Sequence, residues 1–421
     1  MIDQKTPLRN WAGNLEYSTG NVFYPETVSA IQDLLRKLPN AKALGSRHCF
    51  NNIADSKHSL ISMARLNRLV SINKENNTVT LEGGMNYGTL CPLLESDGYA
   101  LHNLASLPHI SVAGACATAT HGSGMTNGNL ATIVKRMEIV RPDGEIVTID
   151  SESDRDLFNA QVVGLGAIGV ISKITLALQP SYWMKQYVFE EMPLSLALQN
   201  FDKIMRSGYS VSLFTDWTNE SINEVWIKML EHDNDPGAVF YEGRAATKNV
   251  HPIIDLDAEN CTDQMGTPGL WYEILPHFKM GFTPSSGTEL QSEYFVPVRH
   301  AGEAISAVQR MGNEISPHLL ISEIRAIAAD NLWMSPCYRQ DSVAIHFTWK
   351  QEPAAVMSLL PKIERELSGY QVRPHWGKLF TIPKETLAER YEKLDEFRML
   401  VSQVDPTKKL VNKFLASHVL A

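Results

Sequence analysis

The sequence predicts an α+β protein of two domains, and three observations carry that prediction. The chain has 421 residues, 44% of them hydrophobic and 20% charged, which is more apolar material than one core of roughly 250–300 residues absorbs. Short helical and strand-like patterns alternate from Pro25 onward and close at Pro180, placing the first domain at 1–180. Beyond it lies a stretch rich in aromatics, among them Trp217, Trp226, Trp271 and Trp333, whose strand-like runs are separated by Gly/Pro-bearing loops such as Gly281 to Gly287.

Between Pro25 and Leu38 the residues Val28, Ile31, Leu34, Leu35 and Leu38 recur at helical spacing, with Pro25 where a helix start tolerates it. Asn77 to Glu82 alternates Val79 and Leu81 with polar residues and reads as a half-buried strand. Met137 to Val140 and Glu145 to Ile149 are β-prone runs joined by Arg141-Pro142-Asp143-Gly144, which has the chemistry of a tight reversal and predicts a hairpin. The run Gly164-Leu165-Gly166-Ala167-Ile168-Gly169 leads into an apolar strand, Val170 to Leu178. No internal repeat and no low-complexity segment interrupts this order.

Composition excludes several classes of function. A formal net charge of −9 without a Lys/Arg run speaks against a nucleic-acid footprint. Met1 to Asn14 lacks the apolar core of a secretion signal, and about 18 consecutive apolar residues, as a spanning helix needs, occur nowhere. A cytoplasmic protein without membrane contact is the expectation. The cysteines Cys49, Cys91, Cys116, Cys261 and Cys337 form no CxxC pair, so free, mostly buried thiols are expected rather than disulfides or a metal site.

Two loops carry candidate chemistry in the first domain: Gly45-Ser46-Arg47-His48, and Ser106 to Gly124 with its glycines and small side chains. Such loops let backbone N–H groups approach a pyrophosphate, although ordinary tight turns look the same. Neither carries the GxGxxG fingerprint after a first strand, nor GxxxxGK[ST], so the usual dinucleotide and P-loop readings fail. In the second domain a period of two puts Glu323 and Arg325 on one side of a strand, with Ile324 opposite. The same period in Ser342 to Lys350 sets His346 and Thr348 against Ile345, Phe347 and Trp349. Alternation alone leaves open whether these polar faces meet solvent or a site.

Taken together, Asn10-Trp11-Ala12-Gly13-Asn14, Gly45-Ser46-Arg47-His48, Ala105 to Gly114, Thr120-His121-Gly122-Ser123-Gly124, Glu323-Ile324-Arg325 and Arg373-Pro374-His375-Trp376-Gly377-Lys378 carry a family likeness. Over essentially its whole length the chain resembles the alditol oxidase and xylitol oxidase group of the vanillyl-alcohol-oxidase (PCMH-type) FAD flavoproteins. The resemblance implies an FAD-binding domain of two small α/β subdomains and a substrate (cap) domain, 181–370, built on an antiparallel sheet flanked by helices. It also implies that a C-terminal segment, 371–421, returns to the flavin.

For the cofactor, the resemblance implies FAD bonded covalently through the His48 imidazole. Ala43, Leu44, Gly45, Ser46, Arg47, Cys49, Ser106, Ser111, Gly114, Thr118, Ala119, Thr120, His121, Ile171 and His375 are the implied FAD lining. Arg47 stands where these oxidases commonly have glycine, and Cys49 where serine is usual. Some relatives attach FAD a second time, through a cysteine directly before the loop proline. Here Leu107 precedes Pro108 and Cys116 lies further on, so a single attachment is expected.

For the substrate, the resemblance implies that Ser106, Glu323, Arg325, Thr348 and Lys378, with Gln291 and His346 nearby, surround a polyol. The implied reaction is hydride transfer from the carbinol carbon to flavin N5, with molecular oxygen reduced to hydrogen peroxide. Arg325 and Lys378 would hold negative charge at oxygen, Glu323 would orient Arg325, and His346 is the candidate proton acceptor. Two alternatives stand beside this one: an aldonolactone oxidase or dehydrogenase of the gulonolactone type, and a flavin-bearing carbohydrate-binding protein without turnover.

Overall fold

The computed structural model describes residues 7–282 and 288–420. Most of the Gly281–Gly287 loop therefore lies outside the described residues. Three parallel strands open the chain: β1 (Val22–Phe23), β2 (Lys42–Leu44) and β3 (Leu60–Ser62), in the order β1-β3-β2. Helix α1 (Val28–Lys37) crosses between the first two, buries Ile31 and Leu35, and carries Arg36 and Lys37 in its last turn. It begins later than Pro25 because Thr27 is the cap: its hydroxyl accepts the Ala30 amide at 3.1 Å.

A five-stranded antiparallel sheet follows, built from β4 (Leu69–Asn73), β5 (Thr78–Glu82), β6 (Val134–Val140), β7 (Ile146–Asp150) and β8 (Val170–Ala177) in the order β4-β5-β8-β6-β7. The expected hairpin is β6–β7, closed by Arg141 N to Glu145 O at 2.8 Å and by Gly144 at φ +85°. Val79 and Leu81 are fully buried, as their alternation predicts.

The remaining large sheet has ten strands and is antiparallel throughout. Its long members are β9 (Trp183–Pro193), β10 (Ser210–Thr215), β11 (Ser221–Leu230), β12 (Glu289–Pro297), β13 (Leu319–Ile327), β14 (Ser342–Lys350) and the short β15 (Arg373–Pro374). They run β9-β11-β10-β13-β14-β12-β15, with 239–240 and 243–245 beyond β9 and 269–270 paired to β9. The apolar residues of these strands, such as Ile324, Ile345, Phe347 and Tyr294, share one core with the helices Ala301–Arg310 and Pro353–Leu367. The opposite face of the sheet is buried too, since Glu323, Arg325, His346 and Thr348 are each at most 8% exposed. A solvated face is thereby ruled out for these residues, and what they face instead is a cavity.

Among the described residues no helix is long and apolar enough to cross a membrane, and no cluster of His, Cys, Asp and Glu is grouped as a metal site. All five cysteines are free, and four of them are buried.

Candidate active site

Register places the polar groups. Glu293 of β12 and Glu323 of β13 both pair with His346 of β14, so the three side chains form one row across the sheet. Gln291 pairs with Thr348 in the next row. This polar face lines a cavity of about 500 Å³ whose opposite wall is formed by the loops of the N-terminal half.

The row is held by short contacts. Glu293 is fully buried, and its carboxylate accepts from Arg325 Nη2 at 2.9 Å and from Lys378 Nζ at 2.6 Å. His121 Nε2 lies 3.2 Å away. Lys378 and Arg325 hold the Glu293 carboxyl well below the usual range despite its burial. Lys378, itself lowered by burial, also donates to His346 Nδ1 at 2.8 Å. Nδ1 is therefore an acceptor, and the Nε2 hydrogen goes to Thr348 Oγ1 at 3.0 Å. Burial and the neighbouring Lys378 push His346 down to about 4, so its ring is neutral near pH 7. Glu323 accepts from His277 Nε2 at 2.7 Å and lies 3.5 Å from Arg325 Nε. Two carboxylates thus face two cations, and the cluster is close to neutral.

The opposite wall is built from His48 outward. Arg47 adopts φ +62°, an αL conformation that glycine would reach without strain. Its carbonyl accepts the Trp11 amide at 2.9 Å, while Asn10 and Asn14 donate to Cys49 O and Phe50 O at 3.0 and 2.9 Å. The Asn10–Asn14 motif is thus a brace for the His48 loop. The C-terminal segment braces it from the other side, where Asn51 donates to Trp376 O and Lys378 O at 2.8 and 2.7 Å. The His48 ring lies 4.5 Å from Trp11, and its Nδ1 is 3.2 Å from His109 Nε2. Burial lowers His48 to about 3, leaving a neutral imidazole.

Of the residues expected to hold FAD, Ala43, Gly45, Ser46, Arg47, His48, Cys49, Ser106, Ser111, Gly114, Thr118, Thr120, His121, Ile171 and His375 all line this cavity. Leu44 and Ala119 do not. Leu44 alternates with Ala43 on β2 and turns into a small cluster with Tyr17 and Leu60, and Ala119 packs into the main core. Gln291, Glu323, Arg325, His346, Thr348 and Lys378 line the cavity from the cap side. Sequence reasoning missed Glu293 and His277. Glu293 was within reach, because it stands two residues after Gln291 on the same strand and so shares its face. His277 lies outside any strand, and nothing in its neighbourhood of sequence marks it.

The residues present fit a dinucleotide. Among the described residues the only carboxylates on the cavity wall are Glu289, Glu293 and Glu323, all from the cap side, so the loops around Gly45, Gly114 and Gly166 offer phosphates no repelling charge. Those loops are also closely packed: a Cβ on Gly45 or Gly114 would stand 2.7 or 2.6 Å from Ser111 Oγ.

Fold and site together define a flavoprotein. Residues 20–150 match the family described as FAD binding domain, and residues 286–418 match D-arabinono-1,4-lactone oxidase. Among solved structures, cholesterol oxidase from B. sterolicum superposes with a TM-score of 0.81 at 14% identity, covering 98% of this chain and 96% of that one. Xylooligosaccharide oxidase from Myceliophthora thermophila C1 superposes with a TM-score of 0.76, also at 14% identity, covering 98% of this chain and 94% of that one. At such identities the likeness concerns the fold, which is the two-domain vanillyl-alcohol-oxidase type with an antiparallel-sheet cap.

Sequence narrows the class further. The alditol oxidase of Streptomyces sp. (strain IKD472 / FERM P-14339) is 42% identical over 413 residues, covering 97% of this chain and 98% of that protein. L-gulono-1,4-lactone dehydrogenase of Mycobacterium tuberculosis is 25% identical over 429 residues, covering 96% and 97%. The chain belongs to the alditol oxidase family of FAD-binding oxidoreductases.

Proposed function

We propose that this protein oxidises a primary hydroxyl of an alditol such as xylitol or sorbitol to the aldose, with oxygen reduced to hydrogen peroxide. The observation that carries the reading is the row Glu293–His346–Glu323, flanked by Arg325, Thr348 and Lys378, facing the FAD cavity. A polyol carries a hydroxyl on every carbon, and each one buried without a partner costs about 1–3 kcal/mol. This face supplies donors and acceptors in the density that such a substrate needs.

FAD, held by the loops around Gly45, Ser111 and Gly114, would supply the hydride acceptor and the route for the electron pair to oxygen. The chain's own residues do the rest. Arg325 and Lys378 polarise the reacting hydroxyl and hold negative charge on its oxygen. Lys378 passes a proton to His346 Nδ1, which lies 2.8 Å away and is unprotonated at neutral pH, as it takes one from the substrate. Thr348 already accepts from His346 Nε2, so its own hydroxyl hydrogen is left to donate to a substrate oxygen. Ser106, Gln291 and Glu323 bind the remaining hydroxyls. His48, whose Nδ1 lies 3.2 Å from His109 Nε2 on the cavity wall, would carry FAD covalently as the single attachment.

One observation favours a second reading, an aldonolactone oxidase: residues 286–418 match the D-arabinono-1,4-lactone oxidase family. Peroxide production measured in parallel with xylitol, sorbitol and gulono-1,4-lactone separates the two. Turnover of the alditols is expected, and activity confined to the lactone would overturn the alditol reading. Anaerobic mixing with xylitol should bleach the flavin band, whereas a binding protein without turnover would leave it unchanged. After acid precipitation the yellow colour should stay with the wild-type pellet and be absent from that of His48→Ala.

A further inference from the structure

Beside the main cavity, between the same cap face and the loop residues Leu104, Ser106, Gly122 and Ser123, lies a second, much smaller cavity of about 10 Å³, lined from the cap side by Ser210, Ser212, Leu275, His277 and Arg325. Three buried polar atoms of its wall, Ser212 Oγ, His277 Nδ1 and Arg325 Nε, have no hydrogen-bond partner among the described residues. Their residues are 1%, 7% and 5% exposed. Ser212 and Arg325 are directly paired across β10 and β13, so their side chains emerge on the same face. Buried polar atoms left unpaired are rare, and three around one cavity call for a common partner.

Protonation fixes what that partner is. A carboxylate only accepts, so the 2.7 Å contact with Glu323 places the His277 hydrogen on Nε2 and leaves Nδ1 as an acceptor. Arg325 Nε carries a hydrogen and only donates. The occupant must therefore donate to His277, accept from Arg325 and satisfy a serine hydroxyl that does either. A cation fails against the Arg325 charge, and an anion cannot donate to His277. A water needs about 10–15 Å³ and two to four polar partners.

We propose that a single buried water sits between Ser212, His277 and Arg325, and that with His277 it positions the Arg325 guanidinium for substrate. The chain Glu323–His277–water–Arg325 holds the guanidinium at Nε, while Glu293 holds Nη2 at 2.9 Å. Nη1, which makes no hydrogen bond among the described residues, is the nitrogen left for the substrate. His277 is a positioning residue here, acting through Glu323 and the water. The kinetic part of the inference rests on the alditol reading; the water itself does not.

A crystal structure of the full-length holoenzyme should show one water peak within hydrogen-bond distance of all three atoms. An empty site, or Arg325 Nε bonded directly to a protein group, would overturn the proposal. Ser212→Val fills the cavity and expels the water, whereas Ser212→Ala keeps it on two partners. With xylitol as substrate, Ser212→Val should lower kcat and kcat/KM together about tenfold with KM within about twofold, and Ser212→Ala should stay near wild type. Wild-type kinetics in a Ser212→Val protein shown to lack the water would refute the positioning role. A water peak in a protein that oxidises no alditol would defeat the alditol reading and leave the water site standing.

Discussion

At Glu293 a fully buried carboxylate stands between two cations, and removing its charge leaves Lys378 without its ion-pair partner and Arg325 with only Glu323, 3.5 Å from its Nε. In Glu293→Gln the amide still occupies the space, but Arg325 and Lys378 lose the anion that each contacts within 3 Å. Breaking a buried pair in this way destabilises by roughly 3 kcal/mol or more, because the remaining charge keeps its desolvation cost. Urea unfolding of the variant should show a lower midpoint and a loss of unfolding free energy of that size, together with a large loss of xylitol turnover. An unchanged midpoint would mean that the two cations do not depend on this residue. What the sequence made legible at this scale were groups that alternation sets side by side, Glu323 with Arg325 and His346 with Thr348. Glu293 escaped because its importance comes from pairing three strands together, a long-range fact. His277 escaped because it reaches Glu323 from a segment with no periodic pattern.

Elements were legible where local chemistry decides them. The stripe of Ile31 and Leu35 gives α1, and Arg141-Pro142-Asp143-Gly144 gives the β6–β7 turn, because each depends on near neighbours alone. The polar face of β13 and β14 was ambiguous for a physical reason: alternation reports two unlike faces, not whether water or a cavity lies beyond one of them. Close backbone approach is another feature that sequence conceals. Gly83 at the end of β5 donates to Ser172 O at 2.9 Å, and a Cβ there would stand 2.0 Å from the Ile171 carbonyl oxygen. Gly45 differs, since its Cβ would meet only the Ser111 hydroxyl, which can turn. Gly83→Ala should therefore push β5 from β8, displace Ile171 from the cavity wall and destabilise by about 1–3 kcal/mol. Gly45→Ala should cost less. Thermal melting and the flavin-to-protein absorbance ratio of the two variants check this, and an equal response would show that the strand end yields where we expect it to be rigid.

Over the whole molecule, the cavity exists because the two sheets are tied together along one seam. Gly124 N donates to Ala326 O at 2.8 Å, Trp333 Nε1 reaches Asp156 at 3.1 Å, and Asn129 Nδ2 donates to Asp330 at 2.7 Å. The last tie is a buried cluster in which Asp330 also accepts from Ser335 Oγ and the Leu332 amide, at 2.6 and 2.8 Å. Burial outweighs these donors and raises the Asp330 carboxyl to about 6. A carboxyl whose folded pKa exceeds its unfolded value, near 3.9, binds more protons when folded, so its contribution to stability is largest below pH 4 and declines as pH rises towards 6. The difference between the two pKa values is worth on the order of 3 kcal/mol at the acid end of that window. Asp330→Asn lacks the titration. Its melting temperature should lie below wild type at pH 4, where the neutral acid is intact, and the gap should narrow steadily to pH 6.5. Parallel pH dependences in the two proteins would mean that Asp330 is ionised throughout, and that the seam is held by a full charge rather than by a protonated acid.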